Sequence, residues 1–144
     1  MNMKLELLIL ALAVFTVGCM DNSQPVEPDV QNTSTPAVDS SGNITVYLTS
    51  SGFQPSEITI QEGETVTWIN NASSPMWVAS DQHPTHTNYA DSTIYEHCQM
   101  GDQTEPAFDQ CQSGERFTFT FEKAGEWNYH NHERAVQSGT ITVK

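Results

Sequence analysis

The stretch that decides the fold is Glu62-Gly63-Glu64-Thr65-Val66-Thr67-Trp68-Ile69-Asn70-Asn71. Its first three residues make a tight reversal, and Gly63 can take a positive φ there without a Cβ penalty. Behind the turn, Val66, Trp68 and Asn70 alternate with Thr65, Thr67 and Ile69. A period of two in β-branched and aromatic residues predicts a half-buried strand. The same period extends to both sides. Upstream, Ile44, Val46 and Leu48 alternate with Thr45, Tyr47 and Thr49; Gly52 and Pro55 punctuate a turn; Ile58 and Ile60 alternate with Thr59 and Gln61. Downstream, Met76-Trp77-Val78-Ala79 predicts a short strand. Phe117, Phe119 and Phe121 then alternate with polar residues, Lys123-Ala124-Gly125 is a turn, Trp127 and Tyr129 share a side, and Gly139, Ile141 and Val143 close the pattern. About seven short strands without a helical stripe predict an all-β Greek-key sandwich or barrel of two antiparallel sheets.

Regularity is lost over residues 80–112, apart from room for a single helical turn. A loop of that length in a compact domain is functional or pinned by a disulfide. Cys98 and Cys111 lie inside it. In an oxidising compartment they pair most simply with each other, a bridge worth on the order of 3 kcal/mol on the chain-entropy account. As thiolate metal ligands they would need reducing conditions and lack a CxxC spacing.

The chain has 144 residues, room for one domain, with 5 Lys+Arg against 18 Asp+Glu and a formal charge of −13. That balance excludes nucleic acid as a partner and excludes docking on anionic lipid through a basic patch. Residues 1–18 carry Lys4 and then a short apolar run, and read as a secretory signal peptide, too short to span a bilayer comfortably. Thr16-Val17-Gly18-Cys19 resembles a bacterial lipobox, although Thr16 stands where that pattern prefers Leu. Cys19 as the lipidated residue would account for the odd cysteine of three, and would be the only link to a membrane; the alternative is a plain cut near Gly18. Residues 19–42, rich in Pro, Ser, Thr, Asp and Asn, read as a flexible linker, leaving residues 43–144 as the domain. The expected address is outside the cytoplasm, in the periplasm or cell envelope.

The order of these elements resembles the cupredoxin family, the plastocyanin and azurin class of small copper proteins. Gly63-Glu64-Thr65-Val66-Thr67-Trp68-Ile69-Asn70-Asn71 is similar to the family's G-(D/E)-T-V-x-W-x-N pattern. Phe53 to Ile60, Phe121 to Tyr129 and Gly139-Thr140-Ile141-Thr142-Val143 match its other strands. The segment Trp77 to Thr87 and the run Tyr129-His130-Asn131-His132 look more like a bacterial plastocyanin-like subgroup. The resemblance implies copper as cofactor, and electron transfer or copper handling with a redox or copper-exchange protein as partner.

The ligands depart from the family. A blue-copper site uses two His, one Cys and a weak axial Met. Met76 stands where the first His is expected, Asn131 where the Cys is expected, and Gln137 near the axial position. Met76 and Gln137 are therefore candidate weak ligands, and the thiolate is missing. What remains is imidazole. All five His fall within 83–132, and His83, His86, His130 and His132 form two close pairs that would converge if both loops leave the same end of the sandwich. Imidazole suits Cu(II), Zn(II) or Ni(II). The bland alternative has these His facing solvent or bonded to loop carbonyls.

Six carboxylates, Asp81, Asp91, Glu96, Asp102, Glu105 and Asp109, read as a solvated acidic face, since no EF-type loop is present. No G-x-S-x-G elbow and no phosphate-cradling glycine loop is found, so no enzymatic residue is assigned. Three functions follow as expectations: an exported copper-binding protein, a metal-free interaction module, or a small cuproenzyme with an open coordination position.

Overall fold

The computed structural model describes residues 44–101 and 104–144. The expected signal peptide over 1–18, the candidate lipidation site Cys19 and the expected linker over 19–42 lie outside these residues. Among the described residues there are eight strands: β1 (Ile44–Thr49), β2 (Gly52–Gln54), β3 (Glu57–Ile60), β4 (Thr65–Asn70), β5 (Val78–Ser80), β6 (Arg116–Thr120), β7 (Gly125–Asn131) and β8 (Arg134–Val143). They form two four-stranded sheets in the orders β2-β1-β4-β6 and β3-β8-β7-β5. Among the described residues no helix is long and apolar enough to cross a membrane.

The deciding stretch behaves as its pattern dictates. Gly63 takes φ 85°, and β4 follows with Val66 and Trp68 fully buried. Trp68 sits between the sheets with the rings of Phe108, Phe117 and Tyr129 at 5.3, 5.6 and 5.5 Å. Edge and tilted contacts of this kind add to the plain burial of apolar area. The alternating residues of β1, β3 and β8 complete the core, with Val46, Leu48, Ile58, Ile60 and Ile141 all buried.

Three details differ from the sequence expectation. The sheets are mixed rather than wholly antiparallel: β1 runs parallel to β4, and β3 parallel to β8. Neighbouring strands joined by crossovers between the two layers have no hairpin to reverse them, so alternation alone cannot fix their direction. Residues 52–54, read as part of a turn, form the edge strand β2, paired antiparallel with β1 through Leu48↔Phe53. Three residues are too few to display a period. The strand expected at Met76 begins at Val78, because Asn131 Oδ1 accepts the Trp77 N–H and β5 pairs with β7 only from Val78↔Asn131 onward.

The described residues of the 80–112 excursion are held by their own contacts. Cys98 and Cys111 are disulfide-bonded. The helical turn is a π-turn at Tyr95–Gln99. The returning arm lies along β5, with Ser80 N–H donating to Phe108 O at 2.8 Å and Gln110 N–H to Val78 O at 2.8 Å. That arm sends Phe108 into the core and turns Asp109 to the other side.

Candidate metal centre

The site begins with the alternation of β7. Tyr129 and Asn131 share one face, and Tyr129 belongs to the core. His130, between them, projects from the opposite face. The β5 register agrees: Val78, a core residue, lies opposite Asn131, while Ala79 lies opposite His130. The excursion folds over this outer face, leaving His130 only 1% exposed.

A compact turn delivers the second histidine pair. His86 N–H donates to Gln82 O at 2.7 Å, Asn88 N–H to Asp81 O at 2.6 Å, and Ser80 Oγ to His86 O at 3.0 Å. His86 is held at φ 59°, a left-handed conformation that costs a non-glycine residue about 1 kcal/mol and persists only where its surroundings impose it. Here they do: the ring is 1% exposed, and Asp109 Oδ2 accepts its Nδ1–H at 2.5 Å.

Four imidazoles meet as a result. Ring centroids lie 5.3 Å apart for His83 and His130, 5.0 Å for His83 and His132, 5.1 Å for His86 and His130, and 4.8 Å for His86 and His132. Nitrogens of His83, His130 and His132 lie within 4.8 Å of one another, and His86 Nε2 is 3.0 Å from His132 Nδ1. At metal–nitrogen bonds of about 2.0 Å, adjacent donors around one ion sit about 3 Å apart and opposite donors about 4 Å apart. His86 and His130 are buried, His132 is half-buried and His83 is exposed, so the cluster opens to solvent on the His83 side.

The hydrogen bonds prepare lone pairs. His130 Nδ1 is 2.8 Å from Asp81 Oδ1, and His86 Nδ1 is bound to Asp109. A carboxylate on Nδ1 fixes the proton there and leaves Nε2 as the donor, the arrangement that orients imidazoles in metal sites. His130 Nε2 is buried and has no hydrogen-bond partner. A buried polar atom without a partner carries a desolvation cost that an electrophile aimed at its lone pair would remove. Burial holds the His130 imidazole below its ordinary pKa, with the like charges of His86 and His83 adding to this against the opposing pull of Asp81. His132 is lowered by burial first, then by His86 and His83. Both effects favour the neutral, metal-binding form.

Asp109 is the hub of the site. Its Oδ2 also takes a hydrogen bond from His97 Nε2 at 3.0 Å, and its Oδ1 accepts Trp77 Nε1–H at 2.7 Å and Cys111 N–H at 2.8 Å. Burial by itself would raise its pKa, but hydrogen bonds from His86, Trp77, His97 and the Cys111 backbone overcome it and hold the carboxyl at about 2. Trp77 packs on His132 with centroids 4.2 Å apart and the rings tilted by 37°. Sequence reasoning missed Asp109, Asp81, His97 and Trp77. The sequence places Asp109 in a solvated acidic face; the structure buries it instead, at 8% exposure. The only sign in the sequence was Phe108, whose burial in the core turns its neighbour the opposite way.

The structure gathers His83, His86, His130 and His132, and leaves Met76 and Gln137 on the core side of β7. Met76 is a fully buried core residue. Gln137 Oε1 accepts a hydrogen bond from Asn131 Nδ2 at 2.9 Å. Asn131 Nδ2 also reaches Pro75 O at 3.1 Å, and its Oδ1 accepts the Trp77 and Glu133 N–H groups. The amide where the family's thiolate is expected is therefore fully partnered within the protein, and a copper–thiolate centre does not fit there. The imidazole cluster on the opposite face of the same strand does fit a divalent ion, because its donors are of one type and one of them is an orphan.

A two-layer Greek-key sandwich of this strand order is a cupredoxin. Residues 41–144 match the family of copper binding proteins, plastocyanin/azurin family. The chain belongs to that family. A plastocyanin of Scenedesmus fuscus is 35% identical over 97 residues, covering 64% of this chain and 86% of that protein. Among solved structures, a purple cupredoxin from Nitrosopumilus maritimus superposes with a TM-score of 0.50 at 20% identity, covering 69% of this chain and 98% of that one. A Cu(I) form of an amicyanin variant gives 0.51 at 22% identity, covering 72% and 84%. At these identities the two structures speak for the fold alone.

Proposed function

We propose that this cupredoxin is an exported, Cys19-lipidated protein of the cell envelope that carries copper on His83, His86, His130 and His132. Copper handling with a protein partner fits it better than blue-copper electron transfer, since the two cysteines among the described residues, Cys98 and Cys111, are bonded to each other. The observation that supports this most is His130 Nε2, buried, unpartnered and surrounded by three further imidazoles. When bound, the metal would supply a Lewis-acidic, redox-active centre. The chain's own part is to hold the rings, with Asp81 and Asp109 fixing protons on the remote nitrogens. The open His83 side gives a copper-exchange partner a route to the ion.

The test is a Cu(II) titration of the mature chain followed by visible absorption and EPR. One copper per chain is expected, with a weak d–d band, nitrogen hyperfine structure and no intense sulfur-to-copper band. His130→Ala with His132→Ala should weaken binding by at least about 100-fold, as two donors are lost. Unchanged copper affinity in that variant, or an intense charge-transfer band in the parent, overturns the assignment.

Copper retention should follow imidazole protonation. A free imidazole is half-protonated near pH 6.5, and His130 and His132 are held below their ordinary value, so half-release is expected below about pH 6.5. Half-release well above that pH contradicts the ligand set. The anchor is tested separately: Cys19→Ala should move the protein from the membrane to the soluble fraction of the envelope.

A further inference from the structure

Beside the imidazole cluster lies a second set of donors, His97, Cys98, Asp109 and Cys111, each offering an atom within 4.8 Å of the others. His97 and Asp109 are 5% and 8% exposed, whereas both cysteines are half-buried. In the oxidised protein the two sulfurs are spent on each other. We propose that reduction of the Cys98–Cys111 disulfide opens a second metal site, made of two thiolates, the His97 imidazole and the Asp109 carboxylate, which takes a soft d10 ion such as Zn(II).

The chemistry balances with a cellular dithiol as reductant. One thiolate of the dithiol attacks a sulfur of the bridge, forming a mixed disulfide and releasing the other cysteine. The second thiol of the reductant then closes its own disulfide and releases the first cysteine. Two electrons pass from the dithiol to the Cys98–Cys111 bond, and two protons end on the freed sulfurs. The metal displaces those protons, because thiolate is the ligand form.

The remaining two donors already meet: Asp109 Oδ2 accepts the His97 Nε2–H at 3.0 Å, and Ser92 Oγ lies 3.1 Å from His97 Nδ1, fixing the ring. A metal ion bound here takes the place of that shared Nε2 proton. Ligand atoms around a tetrahedral Zn(II) sit about 3.3–3.8 Å apart, a spacing these four groups can adopt once the sulfurs are free to part. Two thiolates, one imidazole and one carboxylate form a closed set for Zn(II), while the neighbouring all-imidazole cluster has none of this softness. The loop holding all four donors is the one stretch of the domain that the strand pattern does not account for.

The test uses the mature chain, reduced anaerobically with a phosphine and desalted, with Co(II) as spectroscopic probe and Zn(II) as competitor. A sulfur-to-cobalt charge-transfer band with tetrahedral d–d bands is expected at one Co(II) per chain, bleached by one equivalent of Zn(II). The oxidised chain should give no such band. Cys98→Ser with Cys111→Ser should abolish it, and His97→Ala should weaken Co(II) at least about tenfold. His130→Ala with His132→Ala should leave the band intact, which separates this site from the four-imidazole reading. Absence of the band in the reduced chain overturns the proposal, and so does loss of the folded far-UV spectrum on reduction, since His97 and Asp109 would then no longer meet.

Discussion

Asp109→Ala should lower the stability of the domain by about 3–5 kcal/mol, the usual cost of removing one member of a buried charged network. Four donors converge on this carboxylate: His86 Nδ1, His97 Nε2, Trp77 Nε1 and the Cys111 N–H. Its side chain is wholly buried, as is that of His86, so water cannot take over without the loop opening. The loss should appear as a fall in melting temperature of about 15–30 °C for a domain of this size. The wild type should also carry an acid signature. The carboxyl has its pKa lowered from 3.8 in the unfolded chain to about 2 in the fold. A depressed folded pKa stabilises above the unfolded value and ceases to do so as pH falls through the folded one. About 2 kcal/mol should therefore disappear between about pH 4 and pH 2. Asp109→Asn, which cannot titrate, should flatten that part of the stability curve. A melting temperature for Asp109→Ala within two or three degrees of the wild type would count against the hub, as would an unchanged acid limb in Asp109→Asn.

The importance of Asp109 also marks where sequence reading stopped. The sandwich was legible because each strand writes its burial in a period of two: Trp68 and Val66 had to point one way, and Phe119 and Tyr129 had to join them. Convergence of four imidazoles was legible only as a conditional, because it needed two loops to leave one end. The side of β7 on which they meet was not resolved. Alternation puts His130 and Asn131 on opposite faces, yet a family position for copper drew attention to Met76, Asn131 and Gln137, which form a hydrogen-bonded and apolar plug toward the core. Asp109 and His97 were illegible for another reason. Their roles depend on the path of a loop with no period, closed by a disulfide and by backbone bonds to β5. Apart from its neighbour Phe108, nothing local distinguishes Asp109 from the exposed Asp91, Glu96 and Glu105. Strand direction was hidden too, since parallel β1–β4 and β3–β8 pairings carry the same alternation as antiparallel ones.

Gly139→Ala is the second substitution with a large expected effect, and it tests the packing that carries β7. Gly139 lies on β8 opposite Tyr129. A Cβ there would stand 2.5 Å from Tyr129 Cζ, 2.5 Å from its hydroxyl oxygen and 2.7 Å from Ser56 O. None of these can yield easily. Tyr129 is fully buried, with Phe53 at 4.9 Å and Trp68 at 5.5 Å between centroids, so the ring has no free direction. Ser56 O accepts the Thr140 N–H at 2.8 Å and anchors the start of the β3–β8 pairing. One methyl group thus presses on both the core ring and a neighbouring backbone. Overpacking of this severity is expected to cost about 3 kcal/mol, near the top of the usual range. Gly63→Ala is the control. Its Cβ meets nothing within 4 Å, and only the positive φ is penalised, so about 1 kcal/mol is expected. Denaturant midpoints at constant slope would measure both. Tyr129 directly precedes His130, so the displaced ring should also disturb the imidazole cluster, and Gly139→Ala should weaken Cu(II) while Gly63→Ala leaves it unchanged. Equal stability losses for the two variants would mean that Tyr129 has room to move, and that the rigid seat assigned to His130 on β7 is not there.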